Sequence, residues 1–262
     1  MKLNNKTILI TGASSGFGKA VALRMAQDKC NLILTARNPE KMALVEAEIK
    51  KLNPEVKTKI ILADLTKLED IKRLFSEVKA YTSNLDLVFN NAGLGHVDYL
   101  IKQTDEQIKE MIDVNVTSMI LVSKYAAEMM IPQKMGHIIM TSSLAGLISV
   151  PQWSVYVASK WAITGFAASL ELELKPHNIL VSTIHPGPVD TEFFSKEKAD
   201  IELNNLTQVI PVSVVSEKVY EIALQKGGQH PIPTMGKVYA VLYRLLPGFT
   251  KGLIQKMAKP VR

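Results

Sequence analysis

Short apolar runs alternate with longer amphipathic stretches through most of the chain. The apolar runs are rich in β-branched residues, a composition typical of β-strands. They lie at 7–10, 31–35, 59–63, 86–90, 137–141, 180–184 and 230–234. The stretches between them carry apolar residues at helical spacing, at 17–29, 39–52, 67–81, 105–131, 154–176 and 213–227.

This alternation predicts an α/β fold in which parallel strands are joined by crossover helices. The strand sequences are almost continuously apolar, as expected for strands that helices cover on both faces. We therefore expect a doubly wound, mostly parallel seven-stranded sheet with helices on both faces. The 262 residues contain no internal repeat and no linker-like segment, so we assign residues 1–262 to a single domain.

The closing segment departs from this rhythm. Apolar residues at 238–246 fall at helical spacing, Pro247 and Gly248 interrupt the pattern, and a second apolar stripe follows at 249–257. Such stripes usually pack against the body of a protein. We therefore expect residues 236–262 to form a helical tail that packs on or beside the substrate site.

Composition and charge narrow the class of protein. Hydrophobic residues make up 47% of the chain and charged residues 21%, which is a globular composition. Residues 231–262 contain six basic residues and no acidic one, and they account for the whole net charge of +6. No nucleic-acid-binding motif accompanies them, so we expect no nucleic-acid partner. A solvated surface is the default interpretation of this basic tail; contact with an anionic substrate or weak contact with a membrane surface are the alternatives.

Cysteine and histidine usage argues against disulfides and metals. Cys30 is the single cysteine, which excludes an internal disulfide and suits a reducing cytoplasm. The five histidines have no metal-ligand spacing, and His185, before Pro186, is expected to bind backbone groups. We recognise no signal peptide and no membrane-spanning run, so we expect a cytoplasmic protein, with at most peripheral membrane contact.

A glycine-rich turn joins the first predicted strand to the first helix. Gly12 permits a tight turn, Gly16 lets a pyrophosphate approach the backbone, and Gly18 lets the helix pack closely on the strand. The helix N-terminus itself favours a phosphate. We predict a dinucleotide site here, with a plain loop as the alternative, because the spacing is one residue off the common glycine pattern. Its residues are Gly12, Ser14, Ser15, Gly16, Phe17 and Gly18.

A second constellation indicates proton transfer. Tyr156 and Lys160 are four residues apart on a predicted helix, so both face the same side. Ser143 precedes them, at the end of the fifth predicted strand. A free tyrosine, with a pKa of about 10, is a slow acid–base group at neutral pH, and a nearby ammonium favours its phenolate. Ser143 and its neighbour Ser142 also fit as ordinary residues at a strand end.

Further segments complete an ordered pattern. The sequence Asn-Asn-Ala-Gly occupies 90–93, Asn115 follows, and Pro-Gly-Pro-Val-Asp-Thr occupies 186–191. With the glycine turn, Ser143, Tyr156 and Lys160, this pattern resembles the short-chain dehydrogenase/reductase family over roughly residues 7–191. The resemblance implies a Rossmann fold and an oxidoreductase that moves a hydride between a nicotinamide cofactor and a carbonyl or alcohol. Residues 192–262 carry no motif of this family.

The resemblance also implies residue roles. Tyr156 gives its proton to the substrate carbonyl, Ser143 orients that carbonyl, and Lys160 lowers the pKa of Tyr156 and binds the nicotinamide ribose. Asn115 holds a water molecule that links Lys160 to solvent. Asp64 contacts the adenine, a role compatible with capping the next helix. The other implied cofactor residues are Leu65 at the adenine, Asn91, Ala92 and Gly93 beside the adenosine ribose, and Pro186, Gly187, Val189 and Thr191 toward the nicotinamide.

Cofactor choice rests on the end of the second predicted strand. A carboxylate there would bind the ribose 2′-hydroxyl and repel a 2′-phosphate. The chain has Arg37 at this point and no acidic residue before Glu40. A guanidinium is a planar, permanently charged partner for phosphate. We therefore predict NADP(H), with a plain surface charge as the alternative interpretation of Arg37.

The substrate and the assembly are less constrained. Loops at the carboxyl ends of the strands carry Leu94, Leu144, Leu147, Trp153, Phe193 and Phe194, which indicates an apolar pocket for a ketone or aldehyde on a hydrophobic body. Trp153 fits equally well as a residue that anchors the next helix. Helix 154–176 has apolar or small residues on several faces, and similar proteins dimerise through it and the helix near 105–131. We expect a homodimer or homotetramer. The alternative is a monomer in which this helix is buried on all sides.

Three functions compete. The first is an NADPH-dependent carbonyl reductase. The second is an NAD-dependent alcohol dehydrogenase, of the kind that acts on hydroxysteroids, against which Arg37 argues. The third is a non-catalytic NADP(H)-binding sensor, against which the presence of both Tyr156 and Lys160 argues.

Overall fold

The structure, a computed structural model, describes residues 3–190, 193, 209–224 and 227–257. Two of the predicted site residues, Thr191 and Phe194, lie outside this range. Seven strands form one sheet in the described part of the chain. They are β1 (Thr7–Thr11), β2 (Asn31–Ala36), β3 (Lys57–Leu62), β4 (Leu87–Asn90), β5 (Gly136–Thr141), β6 (Ile179–Pro186) and β7 (Gly228–Ile232).

The sheet is doubly wound, with strand order β3-β2-β1-β4-β5-β6-β7. Each neighbouring pair is parallel; Ile8 of β1, for example, is in register with Leu32 of β2 and Leu87 of β4. The direction of winding reverses between β1 and β4, and such a switch point opens a crevice at the carboxyl ends of the strands. The predicted fold class, a Rossmann-like sheet in one domain, is confirmed.

Helices cover both faces of this sheet. They are α1 (Gly16–Met25), α2 (Pro39–Leu52), α3 (Leu68–Tyr81), α4 (Asp105–Ile112), α5 (Ser118–Gln133), α6 (Ser154–Leu174), α7 (Val212–Ala223), α8 (Gly236–Leu245) and α9 (Pro247–Met257). Side chains alternate along each strand. Ile8 and Ile10 therefore pack with α1, α2 and α7 on one face, while Leu9 packs with α3, α5 and α6 on the other.

Several boundaries differ from the predicted ones. The helix expected at 17–29 ends at Met25, because Asp28 turns the chain and its carboxylate accepts hydrogen bonds from the Leu3 amide and the Tyr220 hydroxyl. The stretch 105–131 is not one helix: a π-helical turn at Asp113–Thr117 separates α4 from α5. Strand β3 lies at the sheet edge, and the side chains at its two ends, Lys57 and Leu62, are exposed.

The closing segment forms α8 and α9, which meet at Pro247 as the sequence predicted. The expectation that their apolar stripes pack against the body is wrong for most of the stripe. Leu245 and Phe249 are each 71% exposed, whereas Gly236 and Tyr243 are buried on the side that faces the body. Among the described helices, none is both long and apolar enough to cross a membrane.

Candidate active site

A cavity of about 1120 Å³ opens at the carboxyl ends of the strands, where the sequence analysis expected the ligands to bind. Most of the predicted site residues line it together: Gly12, Ser14, Ser15, Gly16, Phe17, Arg37, Asp64, Leu65, Asn91, Ala92, Gly93, Leu94, Ser143, Leu144, Trp153, Tyr156, Lys160, Pro186, Gly187, Val189 and Phe193. Gly18, Asn115 and Leu147 do not. Gly18 and Asn115 support the lining from behind, and Leu147 is buried in the core.

The glycine turn has the geometry that its sequence predicted. Gly12 and Gly16 have φ angles of +65° and +50°, which side-chain-bearing residues rarely adopt. A Cβ atom on Gly18 would lie 2.1 Å from the Gly12 carbonyl oxygen, so only glycine allows α1 to pack this closely. The Ser15 side chain makes no capping hydrogen bond to α1. A helix N-terminus of this kind, beside a wide crevice, fits a dinucleotide pyrophosphate.

Thr11, directly before the glycine turn, hydrogen-bonds residues that line the cavity. The Thr11 hydroxyl accepts hydrogen bonds from the amides of Asn91 (2.8 Å) and Ala92 (2.9 Å). The Thr141 hydroxyl donates to the Asn91 side-chain oxygen at 3.1 Å. These bonds join the ends of β1, β4 and β5. Sequence reasoning assigned no role to Thr11 or Thr141, although Thr11 directly precedes Gly12.

Arg37 stands at the end of β2, where the sequence placed it. Its side chain is 63% exposed, and its Nη1 lies 4.0 Å from a carboxylate oxygen of Glu110. Asn38 caps the N-terminus of α2, where its side-chain oxygen accepts a hydrogen bond from the Lys41 amide at 2.7 Å. Lys41 also lines the cavity, which the sequence analysis missed. The signal was its position in the first turn of the helix that directly follows β2.

Asp64 lines the cavity but does not cap α3. Its carboxylate accepts hydrogen bonds from the amide (3.1 Å) and hydroxyl (2.9 Å) of Thr66, which forms a local turn. The helix begins only at Leu68, after Lys67. The suggested capping role is therefore wrong, because the turn intervenes. The adenine role stays a prediction.

Tyr156 and Lys160 project from the same face of α6 into the cavity, and both are buried. The Lys160 Nζ atom donates a hydrogen bond to the Thr141 carbonyl at 3.0 Å and lies 5.5 Å from the centre of the Tyr156 ring. Trp153 packs edge-on against that ring at 5.4 Å between ring centres, and Phe193 does so at 6.1 Å. Trp153 thus both lines the cavity and stands directly before α6.

Burial dominates the electrostatics of this pair. It raises the pKa of Tyr156, against a smaller lowering by the hydrogen bond with the Ser143 side chain. The implied lowering of the Tyr156 pKa by Lys160 would have to act against this burial, and it stays a prediction. Burial also lowers the pKa of Lys160 to about 8. At neutral pH the pair is thus a phenol beside an ammonium.

The structure separates the two candidate serines. The Ser142 hydroxyl is buried against α6, where it donates to the Lys160 carbonyl at 3.1 Å. The Ser143 side chain instead hydrogen-bonds Tyr156 and lines the cavity. It also accepts a hydrogen bond from the Ala145 amide at 3.1 Å. Ser143 is thus the serine that the cavity brings to the tyrosine.

His185 holds the backbone of Ser143 from below. Burial lowers the pKa of this histidine to about 4, so it is neutral at pH 7. Because the Ser143 carbonyl can only accept, the histidine Nδ1, 3.1 Å away, donates to it. The Nε2 atom then accepts from the Thr183 hydroxyl at 2.9 Å. As expected, His185 binds the backbone.

Asn115 lies in the π-helical turn and is fully buried. Its amide nitrogen donates to the Leu94 carbonyl at 2.8 Å, and its oxygen accepts from the Leu94 amide at 2.8 Å. It also donates to the Ser159 hydroxyl at 3.1 Å. Asn115 therefore clamps the loop after β4 beside α6. The water link to Lys160 stays a prediction.

The outer wall of the cavity comes from the last two helices. Side chains of α8 and α9 complete the lining, and the sequence analysis named none of them as site residues. They are Tyr239, Leu242, Tyr243, Phe249, Thr250, Leu253 and Ile254. The apolar stripe was visible in the sequence, and the tail was expected on or beside the substrate site, but the residues that would line the cavity were not named. The wall makes this end of the cavity strongly apolar.

The assembled site can bind a dinucleotide at one end and an apolar molecule at the other, with a phenol, an ammonium and a hydroxyl between them. That set supports proton transfer to an oxygen atom. No cluster of histidine, cysteine or acidic side chains suited to a metal ion occurs among the residues that the structure describes. The residues present fit a nicotinamide dinucleotide, because the glycine turn, the open helix terminus and the long crevice are continuous.

Comparison with known proteins identifies relatives of this chain. The short chain dehydrogenase family model matches residues 6–202. An uncharacterized oxidoreductase of Listeria monocytogenes is 38% identical over 196 residues, which cover 73% of this chain and 77% of that protein. A 3beta-hydroxysteroid dehydrogenase of Mediterraneibacter gnavus is 30% identical over 202 residues, which cover 77% of this chain and 72% of that protein.

Solved structures have the same fold. A short-chain dehydrogenase from Sphingobium yanoikuyae in complex with NADPH is 25% identical, with a TM-score of 0.81 and coverage of 98% of each chain. An NAD+-bound xylitol dehydrogenase is also 25% identical, with a TM-score of 0.79 and coverage of 88% of this chain and 99% of that chain. The two similar structures thus hold different nicotinamide cofactors.

Proposed function

This chain belongs to the short-chain dehydrogenase/reductase family, whose members are NAD(P)(H)-binding oxidoreductases acting on alcohols and ketones, and on that premise we propose that it is an NADPH-dependent carbonyl reductase. One observation carries the proposal. A single cavity contains the glycine turn, the Ser143–Tyr156–Lys160 group and an apolar outer wall. The three parts stand in the order that a cofactor, a reacting carbonyl and a hydrophobic substrate body require.

Tyr156 and Ser143 are the groups that bind the carbonyl oxygen. Both hydroxyls reach the cavity and hydrogen-bond each other, so one oxygen atom can contact both. When bound, the cofactor supplies the hydride that adds to the carbonyl carbon. The Tyr156 hydroxyl gives its proton to the carbonyl oxygen, which becomes the alcohol. Because burial raises the pKa of Tyr156, the residue holds that proton at neutral pH.

Lys160 supports the tyrosine after it has lost its proton. Its ammonium lies 5.5 Å from the ring centre and attracts the phenolate. The hydrogen bond from Nζ to the Thr141 carbonyl fixes the ammonium in place. Asn115 and His185 are positioning residues in this proposal: Asn115 holds the backbone at Leu94, and His185 holds the backbone at Ser143.

The preference for NADPH rests on the end of β2. Arg37 and Lys41 place two positive charges on the cavity wall there, beside Asn38, and no carboxylate follows β2 at this point. A ribose 2′-phosphate would pair with them, whereas a 2′-hydroxyl would gain little. Glu110 lies 4.0 Å from Arg37 and would compete for it. Asp64, also in the lining, would contact the adenine.

Fluorescence titration with NADPH and NADH tests this preference. We expect tighter binding of NADPH, and Arg37→Ala should weaken NADPH by about tenfold or more while leaving NADH unchanged, since a charge-assisted bond contributes about 1.5–3 kcal/mol. Glu110→Gln should strengthen NADPH by up to about fivefold, because an exposed ion pair contributes at most about 1 kcal/mol. Lys51→Ala, on the same helix as Lys41 but outside the cavity lining, is the control. Preference for NADH, or indifference to Arg37→Ala, would overturn the NADPH proposal.

The substrate class follows from the apolar end. Leu144 and Trp153 line it on one side and α8 and α9 on the other, so we propose a ketone or aldehyde on a hydrophobic body. An NAD-dependent alcohol dehydrogenase is the second candidate, and the similarity to a hydroxysteroid dehydrogenase supports it. Initial rates distinguish the two functions. Faster turnover of hydrophobic ketones with NADPH would favour the carbonyl reductase, and faster turnover of hydroxysteroids with NAD+ would favour the alcohol dehydrogenase. A protein that binds the cofactor and turns over neither set would favour the non-catalytic sensor.

We also propose a homodimer through α6. The interpretation in which α6 is buried all round is wrong, since Leu172 is 73% exposed and Trp161 is exposed on the same helix. A Cβ atom on Gly165 would meet nothing within 4 Å, so a second helix could approach this face closely. Size-exclusion chromatography with light scattering should detect a dimer that Leu172→Glu dissociates. An unchanged mass for the variant would contradict this interface.

A further inference from the structure

The helix pair α8–α9 presents an apolar surface outward. Val238, Val241, Leu242 and Leu245 are spaced as i, i+3, i+4 and i+7, so they form one stripe along α8, and all four are exposed. Gly236 and Tyr243, on another side of the helix, are buried against the body. The stripe therefore does not form part of the described core. It continues into Leu246, Phe249 and Leu253, and we name these seven exposed side chains the apolar patch.

The contacts at the start of α8 place the patch next to the cavity. A Cβ atom on Gly236 would lie 2.6 Å from Leu144 and 2.9 Å from Pro231, so the helix starts in close contact with the cavity wall. Leu242, Phe249 and Leu253 belong both to the patch and to the cavity lining. The apolar patch is thus continuous with the mouth of the cavity.

The charged side chains on α8 and α9 are all positive. Lys237 and Arg244 are seven residues apart, which places them together on a third side of α8, and both are exposed. Lys251 and Lys256 add exposed positive charge on α9. Residues 231–262 contain no acidic side chain to balance them. An apolar face bordered by lysine and arginine matches the interface of an anionic lipid bilayer, where apolar groups enter the acyl boundary and cations meet the headgroups.

We propose that the apolar patch docks on an anionic membrane surface, with the mouth of the cavity facing the lipid. A second copy of the chain fits this surface less well. A two-fold contact brings the same residues of both copies together. It would therefore set the four cations against their own copies, with no acidic residue in 231–262 to separate them.

Vesicle co-sedimentation of the full-length chain tests the proposal, and its readout does not depend on enzymatic activity. We expect the protein to pellet with vesicles of phosphatidylcholine and phosphatidylglycerol, much less with phosphatidylcholine alone, and less again as salt rises. Leu245→Asp/Phe249→Asp should reduce partition to anionic vesicles by about tenfold or more. Leu44→Asp/Ile101→Asp, which alters two exposed apolar side chains elsewhere, should change it less than about twofold.

Variants that reverse basic charges test the electrostatic part of the proposal in the same vesicle assay. Arg244→Glu/Lys251→Glu should reduce partition to anionic vesicles by about tenfold or more, because each basic residue near such a surface contributes about 1 kcal/mol. Lys51→Glu/Lys79→Glu changes the net charge equally at exposed positions on α2 and α3, outside the patch, and is the matched control. Circular dichroism confirms that each variant is folded. No pelleting of the wild type, or equal loss in patch and control variants, would overturn the proposal. So would a patch variant that dissociates a dimer in the absence of vesicles, since a second copy would then cover the patch.

Discussion

The inner and outer ends of the cavity are built on different principles. At the inner end, Tyr156, Lys160 and Asn115 are buried. Lys160 hydrogen-bonds the backbone at the end of β5, and Asn115 hydrogen-bonds the backbone of Leu94 in the loop after β4. At the outer end, side chains of α8 and α9 such as Phe249 and Leu253 are more than half exposed and contribute apolar surface without fixed partners. The inner end holds atoms in place, whereas the outer end only excludes water.

In the proposed function, the inner end carries out proton transfer and the outer end selects the substrate. Proton transfer needs atoms within hydrogen-bond reach, so every supporting contact at the inner end is constrained. An apolar wall tolerates many side chains of similar volume, because hydrophobic contact is not directional. Substitutions of equal size should therefore have very unequal effects at the two ends.

The largest expected effect comes from Tyr156→Phe. Loss of one hydroxyl removes the proposed proton donor, so the reduction rate should fall by roughly 10²–10⁴-fold while NADPH binding is unchanged. Tyr239→Phe removes the same atom from the outer wall and should change the rate by less than about threefold, as expected for a group outside proton transfer. Steady-state oxidation of NADPH with a hydrophobic ketone measures both. Equal losses in the two variants would remove the functional distinction between the ends.

A glycine pair extends the comparison to stability. In Gly18→Ala the new methyl group would lie 2.1 Å from the Gly12 carbonyl oxygen, so the free energy of unfolding should fall by about 1–3 kcal/mol. In Gly252→Ala on α9, where a Cβ atom meets nothing within 4 Å, it should be unchanged or rise by up to about 1 kcal/mol. Urea denaturation compares the two variants with the wild type. A neutral Gly18→Ala would contradict the close packing of α1 on the glycine turn.

The smallest effect concerns the pH dependence of stability at Lys160. Its pKa is about 8 in the folded chain and near 10.5 when unfolded, so between these values the unfolded state binds more protons. The cost of burying the charged lysine is therefore full below about pH 8 and disappears as pH rises toward 10.5. Relative to Lys160→Met, the wild type should gain roughly 1–2 kcal/mol between pH 7.5 and 9.5. Urea midpoints at the two pH values measure this gain, and parallel midpoints would show that the burial of Lys160 has no such effect.

Features that depend on residues close together in the chain could be predicted from the sequence, whereas features that depend on distant residues could not. Gly12, Gly16 and Gly18 could be assigned from the sequence, because their backbone angles and close contacts arise within a few residues. The strand–helix alternation likewise predicted the doubly wound parallel sheet, whereas the strand order came from the structure. Tyr156 and Lys160 could be paired because a helix sets their relation. The direction of the tyrosine pKa could not be predicted, because it depends on burial by Trp153 and Phe193 from separate loops.

The sequence by itself determined the order of the elements, the glycine turn and the residue types of the proposed proton-transfer group, because these follow from periodicity and local geometry. Only the tertiary structure decided which serine meets Tyr156, how Asn115 clamps the Leu94 loop and how His185 holds Ser143. It also decided that the apolar stripe of α8 and α9 faces outward around the cavity mouth. These relations join residues far apart in the chain. A hydrophobic pattern predicts that a helix face is more stable in apolar surroundings, but it does not specify what those surroundings are.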